Sequence, residues 1–536
     1  MASPPPEREV DVCVIGSGIG GLSAAGLSAR YGLHTEVFES HYHPGGVAHS
    51  FQVDGYKFDA GPSLWASMNQ SSTNPLRQVL DALGEDVEWL QYDGWGMHVP
   101  EGYFYFKVGP DDFTNTLRKY GGEEDVAAWA ALRAQMKPLL GAATSIPPLV
   151  LRGDAAAGIT LAPYLVTALL RAGLGVQALQ GPFTDVAVPT VRPGSFLYRW
   201  LDYMAFALSG LPADATQAAP VIYTLAELHT PNALLDYPRG GSGAVADALV
   251  RGLEKYGGKL HLRSHVAEIL IEDGRAVGIK LKSGAVIRAR RAVISNTSIW
   301  DLLKLVPNTG DKEGFPEAFV EASQATPDTA SFNHLHLGID AAGLEELKLN
   351  IHYTVINTWD EPIDAPLNMV IVSIPTVLDP GLAPPGKHAV HAYMAGNEPY
   401  SLWEGLQRGS KEYEELKEQR TQVLWNALER IIPDIRARAE VTLPASPLTH
   451  EMFNRRHRGS YGPGWRAGEG TFPGCTTPIK DLLRCGDSTL PGLGVPAVAA
   501  SGMHAANTLV PVWQHLKFVK EMQSKGFIVD RFKDSL

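Results

Sequence analysis

At 536 residues the chain is too long for one small domain and suits two or three. Hydrophobic residues make up 45% and charged residues 19%, so a large core can form and pervasive disorder is excluded. The formal charge of −12 argues against nucleic-acid binding, which needs clustered Lys and Arg to neutralise phosphates.

The N-terminus, MASPPPERE, has neither an apolar signal core nor an Arg/Ser-rich transit segment. The expected location is the cytoplasm or, for a plant or alga, a plastid reached with a leader that this chain lacks. Val10–Ile15 is an apolar strand, followed by a helix from about Leu22 to Ala29 and a second strand, Thr35–Glu39. Between strand and helix, Gly16, Gly18 and Gly21 satisfy G-x-G-x-x-G. The first glycine permits a tight turn, the second a close approach of pyrophosphate, and the third close helix–strand packing. The phosphates then face the free N–H groups of the helix N-terminus. Glu39, eighteen residues after Gly21, is placed to accept from the adenosine ribose hydroxyls. A second doublet, Gly45-Gly46, can carry the chain over the pyrophosphate of a long, permanently held flavin, so the cofactor reads as FAD rather than NAD.

Phe51–Ser63 reads as a hairpin turning at Asp54-Gly55 and ending in Gly61-Pro62-Ser63, where small residues let backbone run close to a ligand. Asn74 caps a helix begun by Pro75 and ended by Gly84. Strand-like pieces follow at 87–92 and 103–108. From Asp111 to about Leu235 the pattern is helical and greasy, as in Phe196–Leu208. It reads as the buried core of a cap domain or as a membrane-facing surface, two readings that are compatible. No run of 18 apolar residues is present; Ile159–Leu179 comes nearest.

Tyr237–Gly258 is a glycine turn, a helix and a double-glycine stop. Short strands are expected at 259–263, 266–272, 276–281, 285–288 and 292–294, with Ser295-Asn296 in a capping position before the next helix. Residues 330–400 alternate as an antiparallel sheet of the substrate domain. A charged helix, Lys411–Ile432, comes next, then the basic run Arg455, Arg456 and Arg458, read as a solvated loop. Leu482–Asn507 is strand, Gly486-Asp487, a Pro/Gly loop and an Ala-rich helix. The tail from Trp513 is amphipathic and uninformative. Cys13, Cys475 and Cys485 give no disulfide framework and no Cys-based metal site. His41, His43 and His49 invite a metal reading, but they lie in the flavin loop without a paired carboxylate, and no metal is expected.

The expected fold is α/β: a Rossmann-like (glutathione-reductase-type) FAD-binding domain with an α+β substrate or cap domain containing an antiparallel sheet. The cofactor domain is discontinuous, 7–110, 236–300 and 470–512; 111–235 and 301–469 form the substrate domain, and 513–536 a tail.

The doublet motif with Glu39, the YPRGG…GGKLHLRSHVAEI and AVISN stretches, and the closing GDSTLPGLGVPAVAASG together resemble the carotenoid desaturase/isomerase branch of the FAD-dependent amine oxidase superfamily. This branch contains phytoene desaturases, carotenoid isomerases and retinol saturases. The resemblance implies that Gly16, Gly18, Gly20 and Gly21 lie at the pyrophosphate, Glu39 at the ribose, and Gly45 and Gly46 on the phosphate side. It also implies that Gly61, Pro62 and Ser63 pass near the isoalloxazine and that Val266 contacts adenine through its backbone. Gly486 and Asp487 would meet the ribityl chain and pyrophosphate, and Gly494 and Val495 would approach the ring. Val47 and Asn296 complete the expected cofactor contacts. Val47 stands where bacterial-type desaturases usually carry Arg, which favours the isomerase and saturase side. The implied activity is on carbon–carbon double bonds of a lipophilic polyene. Isomerisation, saturation and desaturation all use the same architecture, a greasy passage ending at the ring. No catalytic side chain is identified. Arg239 reads equally as a polar group near the cofactor and as a loop or phosphate contact, and His504 reads as a helix-packing residue first and as a candidate near the ring second. A flavin amine oxidase and a non-enzymatic prenyl-lipid-binding escort remain as alternatives; the escort predicts decay of the closing motif, which is intact here. The expected partners are a lipophilic small molecule and, through the cap, a membrane surface.

Overall fold

A computed structural model describes residues 8–110, 112–172, 177–307 and 314–529; the extreme N-terminus and the end of the tail lie outside the described residues. Three distant segments build one sheet. Arg8–Ile15 runs parallel between Thr35–Phe38 and Val286–Ser295, and Lys259–His261 extends the Thr35 side. Leu482–Arg484, almost at the other end of the chain, pairs parallel with Val293–Ser295. The two pieces expected at 285–288 and 292–294 are one ten-residue strand, Val286–Ser295. Its polar middle stays in the strand, where Arg290 reaches across to Glu9 and Asp11 of the first strand.

The helix after the first strand spans Ile19–Arg30 and is buried along almost its whole length, packed against Gly243–Lys255 and Val495–Thr508. Asn74 caps its helix by accepting from Leu76 N at 3.0 Å, and Gly84 ends it in a left-handed conformation. The tail is more than an appendage. Its helix, Val512–Ser524, sets Phe518 and Met522 into the cluster that contains Leu22, Leu27 and Leu149, and Arg30 binds Glu521 at 2.8 Å. A single apolar stripe without a partner in the local sequence gave no sign of this.

The second sheet has the strand order Ala439–Ala445, Ser331–Asp340, Lys387–Glu398, Met369–Ser373, His352–Ile356, Gly94–Val99 and Gly102–Lys107. It is antiparallel except where His352–Ile356 meets Gly94–Val99. The last two strands were expected in the cofactor domain, before the boundary at 110. They belong to the substrate sheet because Trp95, Met97 and Phe106 bury with the helical cap rather than with the first sheet. Period-two alternation divides this sheet's faces. Leu335, Leu337, Val390 and Met394 pack on Leu424 and Leu428 of the helix Lys411–Glu429. Phe332, His334, His336, His391 and Tyr393 occupy the opposite face, toward the Phe51–Phe58 hairpin.

In the cap, Phe196–Ser209 buries Phe196, Trp200, Met204 and Phe206 against Phe113 and Trp129, so this segment is core. The helix Ala157–Ala172 differs: Ile159, Val166 and Leu170 are 57%, 62% and 82% exposed. Among the described residues no helix is long and apolar enough to cross a membrane.

Candidate functional site: a glycine crossing beneath an imidazole-lined sheet

The three cofactor segments meet at Asn296. Its backbone N–H donates to Ile15 O at 2.9 Å, which fixes the residue at the end of the central strand. A Cβ added to Gly20 would lie 2.8 Å from Asn296 Oδ1 and 3.0 Å from both Gly486 N and Val498 O. One added to Gly18 would lie 2.7 Å from Asn296 Nδ2. The first turn, the middle strand and the closing motif are therefore in backbone contact, and only glycine leaves the room. Gly45 bridges Gly18 and donates to Ser17 O at 2.8 Å; at Gly46, φ is +59° and a Cβ would stand 3.1 Å from Gly18 Cα. Asn296 thus does not cap the helix that follows. Ser298 does, accepting from Asp301 N at 3.1 Å.

Two helix N-termini open onto this crossing. Ile19–Arg30 and Val495–Thr508 both have glycine N-caps, Gly18 and Gly494, with no capping side chain and no acid in the first turn. Their free N–H groups and dipoles suit an anion. Glu39 Oε2 accepts from Ser17 N at 2.7 Å and Ser17 Oγ at 2.9 Å; Oε1 accepts from His41 N at 2.8 Å and Ser40 Oγ at 3.3 Å. The two backbone donors orient the carboxylate, while the two serine hydroxyls can rotate away and leave their places to ribose hydroxyls. Val266 is buried at the start of its strand. Asp487 is paired with Arg456 at 2.6 Å, and Arg456 also donates to Ser460 O at 2.7 Å. The basic run is therefore only partly a solvated loop, since its middle arginine is tied to the closing motif.

Gly61-Pro62-Ser63 runs between this crossing and the second sheet. Gly61 abuts Val47, whose carbonyl O would lie 2.6 Å from an added Cβ. Ser63 Oγ pairs with Ser373 Oγ at 2.8 Å, and Ser373 Oγ with His352 Nδ1 at 2.9 Å. Just before the loop, Asp59 is buried and accepts from Tyr237 OH at 2.7 Å, Ser50 Oγ at 2.8 Å and Ser242 N at 2.8 Å. Burial raises its carboxyl above the usual range against these three bonds. His336 Nε2 pairs with Asp59 O at 3.0 Å and stacks on His391 at 4.0 Å, and His391 stacks on Tyr393 at 4.6 Å. Burial holds these rings neutral: His336 falls to about 4, His352 and His450 to about 3, and His334 and His391 well below the usual value. The face is flat, π-rich and uncharged, which suits a planar apolar molecule.

Sequence reasoning missed this face, Asp59 and Arg456, because none stands in a local motif. The only hint was the alternation His334-Leu335-His336, which puts two imidazoles on one side of a strand. Arg239, 46% exposed, pairs with Glu88 at 2.8 Å and with the buried Asp379 at 3.7 Å, tying the PRGG turn to two other segments. Within the flavin loop His43 stacks on His49 at 5.7 Å, His41 lies tilted against His49 at 5.0 Å, and His49 Nδ1 pairs with Gly46 O at 2.7 Å. Among the described residues no group of three or more His, Cys, Asp or Glu could hold a metal ion. His504 is buried in the closing helix, with its ring pushed down to about 4 by burial.

The donor set fits FAD: a glycine crossing without side chains, two uncapped helix N-termini for the pyrophosphate, and an oriented carboxylate for the ribose. Residues 14–83 match a model of an NAD(P)-binding Rossmann-like domain, and residues 189–510 match a model of flavin containing amine oxidoreductases. The chain is 32% identical to prolycopene isomerase 1, chloroplastic, of an Oncidium hybrid cultivar, over 93% of this chain and 84% of that protein. It is 26% identical to all-trans-retinol 13,14-reductase of Danio rerio, over 91% and 84%. In fold it is similar to the crystal structure of an oxidoreductase from Methanosarcina mazei, with TM-score 0.61, 20% identity and 92% and 99% of the two chains covered. A motif array reaching from one end of the chain to the other, the crossing it builds and these similarities agree: the chain belongs to the flavin-containing amine oxidoreductase family, on its carotenoid desaturase/isomerase branch, and its cofactor is FAD.

Proposed function

We propose that this enzyme acts on carbon–carbon double bonds of a lipophilic polyene, carotenoid- or retinoid-like, by cis–trans isomerisation or by saturation or desaturation. The observation that carries the reading is the apposition of the FAD crossing to a flat, neutral aromatic and imidazole face across the Gly61–Ser63 loop. FAD supplies the hydride acceptor or donor when bound. Gly16, Gly18, Gly20, Gly21, Gly45 and Gly46 give the pyrophosphate its backbone path, Glu39 holds the ribose, and Gly486, Asp487 and Arg456 hold the ribityl–phosphate end. Gly494 and Val495 present the second helix N-terminus, while Val47, Gly61, Pro62 and Ser63 form the wall beside the ring. The sheet face orients the polyene and keeps water out. Val47, in place of arginine, favours isomerase or saturase chemistry.

Exposed Ile159, Val166 and Leu170, together with Trp513 on the tail helix at 67% exposure, support peripheral membrane contact where such a substrate is dissolved. A plastid location fits a plant or algal source.

The test is anaerobic incubation of the flavoprotein with cis- and all-trans-carotenoids and with retinol, under oxidised and reduced flavin. A mass-neutral product identifies an isomerase, gain of two hydrogens a saturase, and loss of two a desaturase. Turnover of amines with peroxide release, with every polyene left unchanged, would overturn the proposal.

A further inference from the structure

A proton-carrying group stands where the flavin loop meets the cap. Tyr393 lies on the flavin-facing side of the second sheet, stacked on His391 at 4.6 Å, and its ring joins the cap cluster that holds Met204, Ile371 and Ala395. Its hydroxyl bonds to Ser63, on the loop that walls the ring in the reading above. From there the bonds continue inward, Ser63 Oγ to Ser373 Oγ at 2.8 Å and Ser373 Oγ to His352 Nδ1 at 2.9 Å. Ser63, Ser373 and His352 are each 1% exposed, so the line is buried along its length.

Its far end sets its polarity. His352 Nε2 is buried and has no partner. A neutral imidazole carries one N–H, and a buried N–H without an acceptor is rarer than a buried lone pair without a donor, so the proton belongs on Nδ1. His352 then donates to Ser373, Ser373 to Ser63, and Ser63 to the Tyr393 oxygen, which leaves the phenolic O–H free to point away from the loop. Such a line stabilises negative charge on that oxygen, each bond strengthening the next. Burial raises the phenol above its usual value, and the bond from Ser63 opposes the rise. The neighbouring groups are engaged otherwise. Burial keeps His334, His336, His352, His391 and His450 from taking a second proton, and both oxygens of Asp59 are held by Tyr237, Ser50 and Ser242.

We propose that Tyr393 is the acid–base residue of this site, exchanging a proton with a polyene carbon, and that Ser63, Ser373 and His352 position it. The inference rests on the polyene reading above and selects, among its three chemistries, those with net transfer of two hydrogens. In saturation one carbon of the double bond gains a hydride, with reduced FAD as the two-electron donor, and the π electrons bond the neighbouring carbon to the Tyr393 proton. The O–H bond breaks and the charge stays on the phenolate, held by Ser63 until water returns the proton. Desaturation is the reverse, with oxidised FAD as hydride acceptor and the phenolate as base. A positioned acid or base of this kind contributes about 10²- to 10⁴-fold in rate.

The experiment is a single turnover of the holoenzyme with carotenoids and with retinol in heavy water, once with dithionite-reduced and once with oxidised flavin, read by mass spectrometry. The expected product has gained two deuterons or lost two hydrogens. Tyr393→Phe should keep its flavin and its polyene affinity, read from the shift of the polyene absorption band, yet turn over at least about a hundredfold more slowly. Ser373→Ala should lose rate to a smaller extent, again with affinity unchanged. In nitrogen-15 spectra of the histidine-labelled holoenzyme, the ring signals that move in Ser373→Ala should be those of an Nδ1–H tautomer. A mass-neutral product, parental turnover in Tyr393→Phe, or an Nε2–H tautomer would each overturn the inference while leaving polyene chemistry standing. Should Tyr393→Phe fail to fold, the product mass and the tautomer decide. Binding of no polyene, with amines consumed instead, would remove the polyene reading itself.

Discussion

Replacing Gly20 with alanine tests the crossing most directly, because two opposing effects of known size meet there. Gly20 lies inside the helix Ile19–Arg30, where alanine is worth about 1 kcal/mol over glycine from backbone entropy alone. Against this, the new Cβ would stand 2.8 Å from Asn296 Oδ1 and 3.0 Å from Gly486 N and Val498 O. The amide can rotate, but the two backbone atoms belong to the closing motif and cannot yield without moving it. Overpacking of this kind costs about 1–3 kcal/mol, so the net effect is a loss of about 0–2 kcal/mol and a crossing forced apart by a few tenths of an ångström. Because the phosphates are to be held across that crossing, flavin is lost together with stability. Gly158→Ala is the control: it is helical, has open space around it, and should be neutral or slightly stabilising. The assay is the ratio of flavin to protein absorbance after purification, with thermal melts of both variants. Full flavin content and an unchanged melting temperature in Gly20→Ala would refute the convergence of the three segments.

Other outcomes follow from the same geometry. Glu36 is buried, which raises its carboxyl, but hydrogen bonds and charge from His261 and Arg8 outweigh this and hold it at about 2. A folded-state value below the unfolded one gives stability that is present above pH 4.5 and drains as pH falls toward 2. After discounting for the partly exposed Arg8, Glu36→Gln should cost about 2 kcal/mol at pH 7. Urea midpoints should show that gap narrowing by about 1 kcal/mol at pH 4; a constant gap would contradict the assignment. Asp59→Asn turns one acceptor into a donor facing Tyr237, Ser50 and Ser242 N, and should lower stability by about 1–3 kcal/mol in the same assay. Val166→Asp with Leu170→Asp should leave flavin content and folding within about 0.5 kcal/mol of the parent while reducing sedimentation with lipid vesicles. Unchanged sedimentation would dissociate this helix from membrane contact.

The sequence by itself determined the cofactor half of the molecule. G-x-G-x-x-G after an apolar strand, Glu39 at the end of the next, the Gly45-Gly46 doublet and Gly486-Asp487 are local signals, because turns, caps and strand–helix handovers are decided by neighbouring residues. The Asp54-Gly55 hairpin and the Asn74–Gly84 helix were legible for the same reason. What only the tertiary structure decided depends on register and on contacts between distant segments. One cross-strand register puts His336, His391, Ser373 and His352 in a row, and the sequence of any one strand carries no trace of it. Arg456 looked like part of a solvated basic run until the fold brought Asp487 beside it. The strands at 94–107 went to the substrate sheet, and the tail helix into the cofactor core, because apolar stripes declare that they will be buried but not against what. Burial then took ordinary imidazoles, which water would leave half-charged near neutral pH, and made them a neutral surface, a property no residue has until its neighbours exclude the solvent.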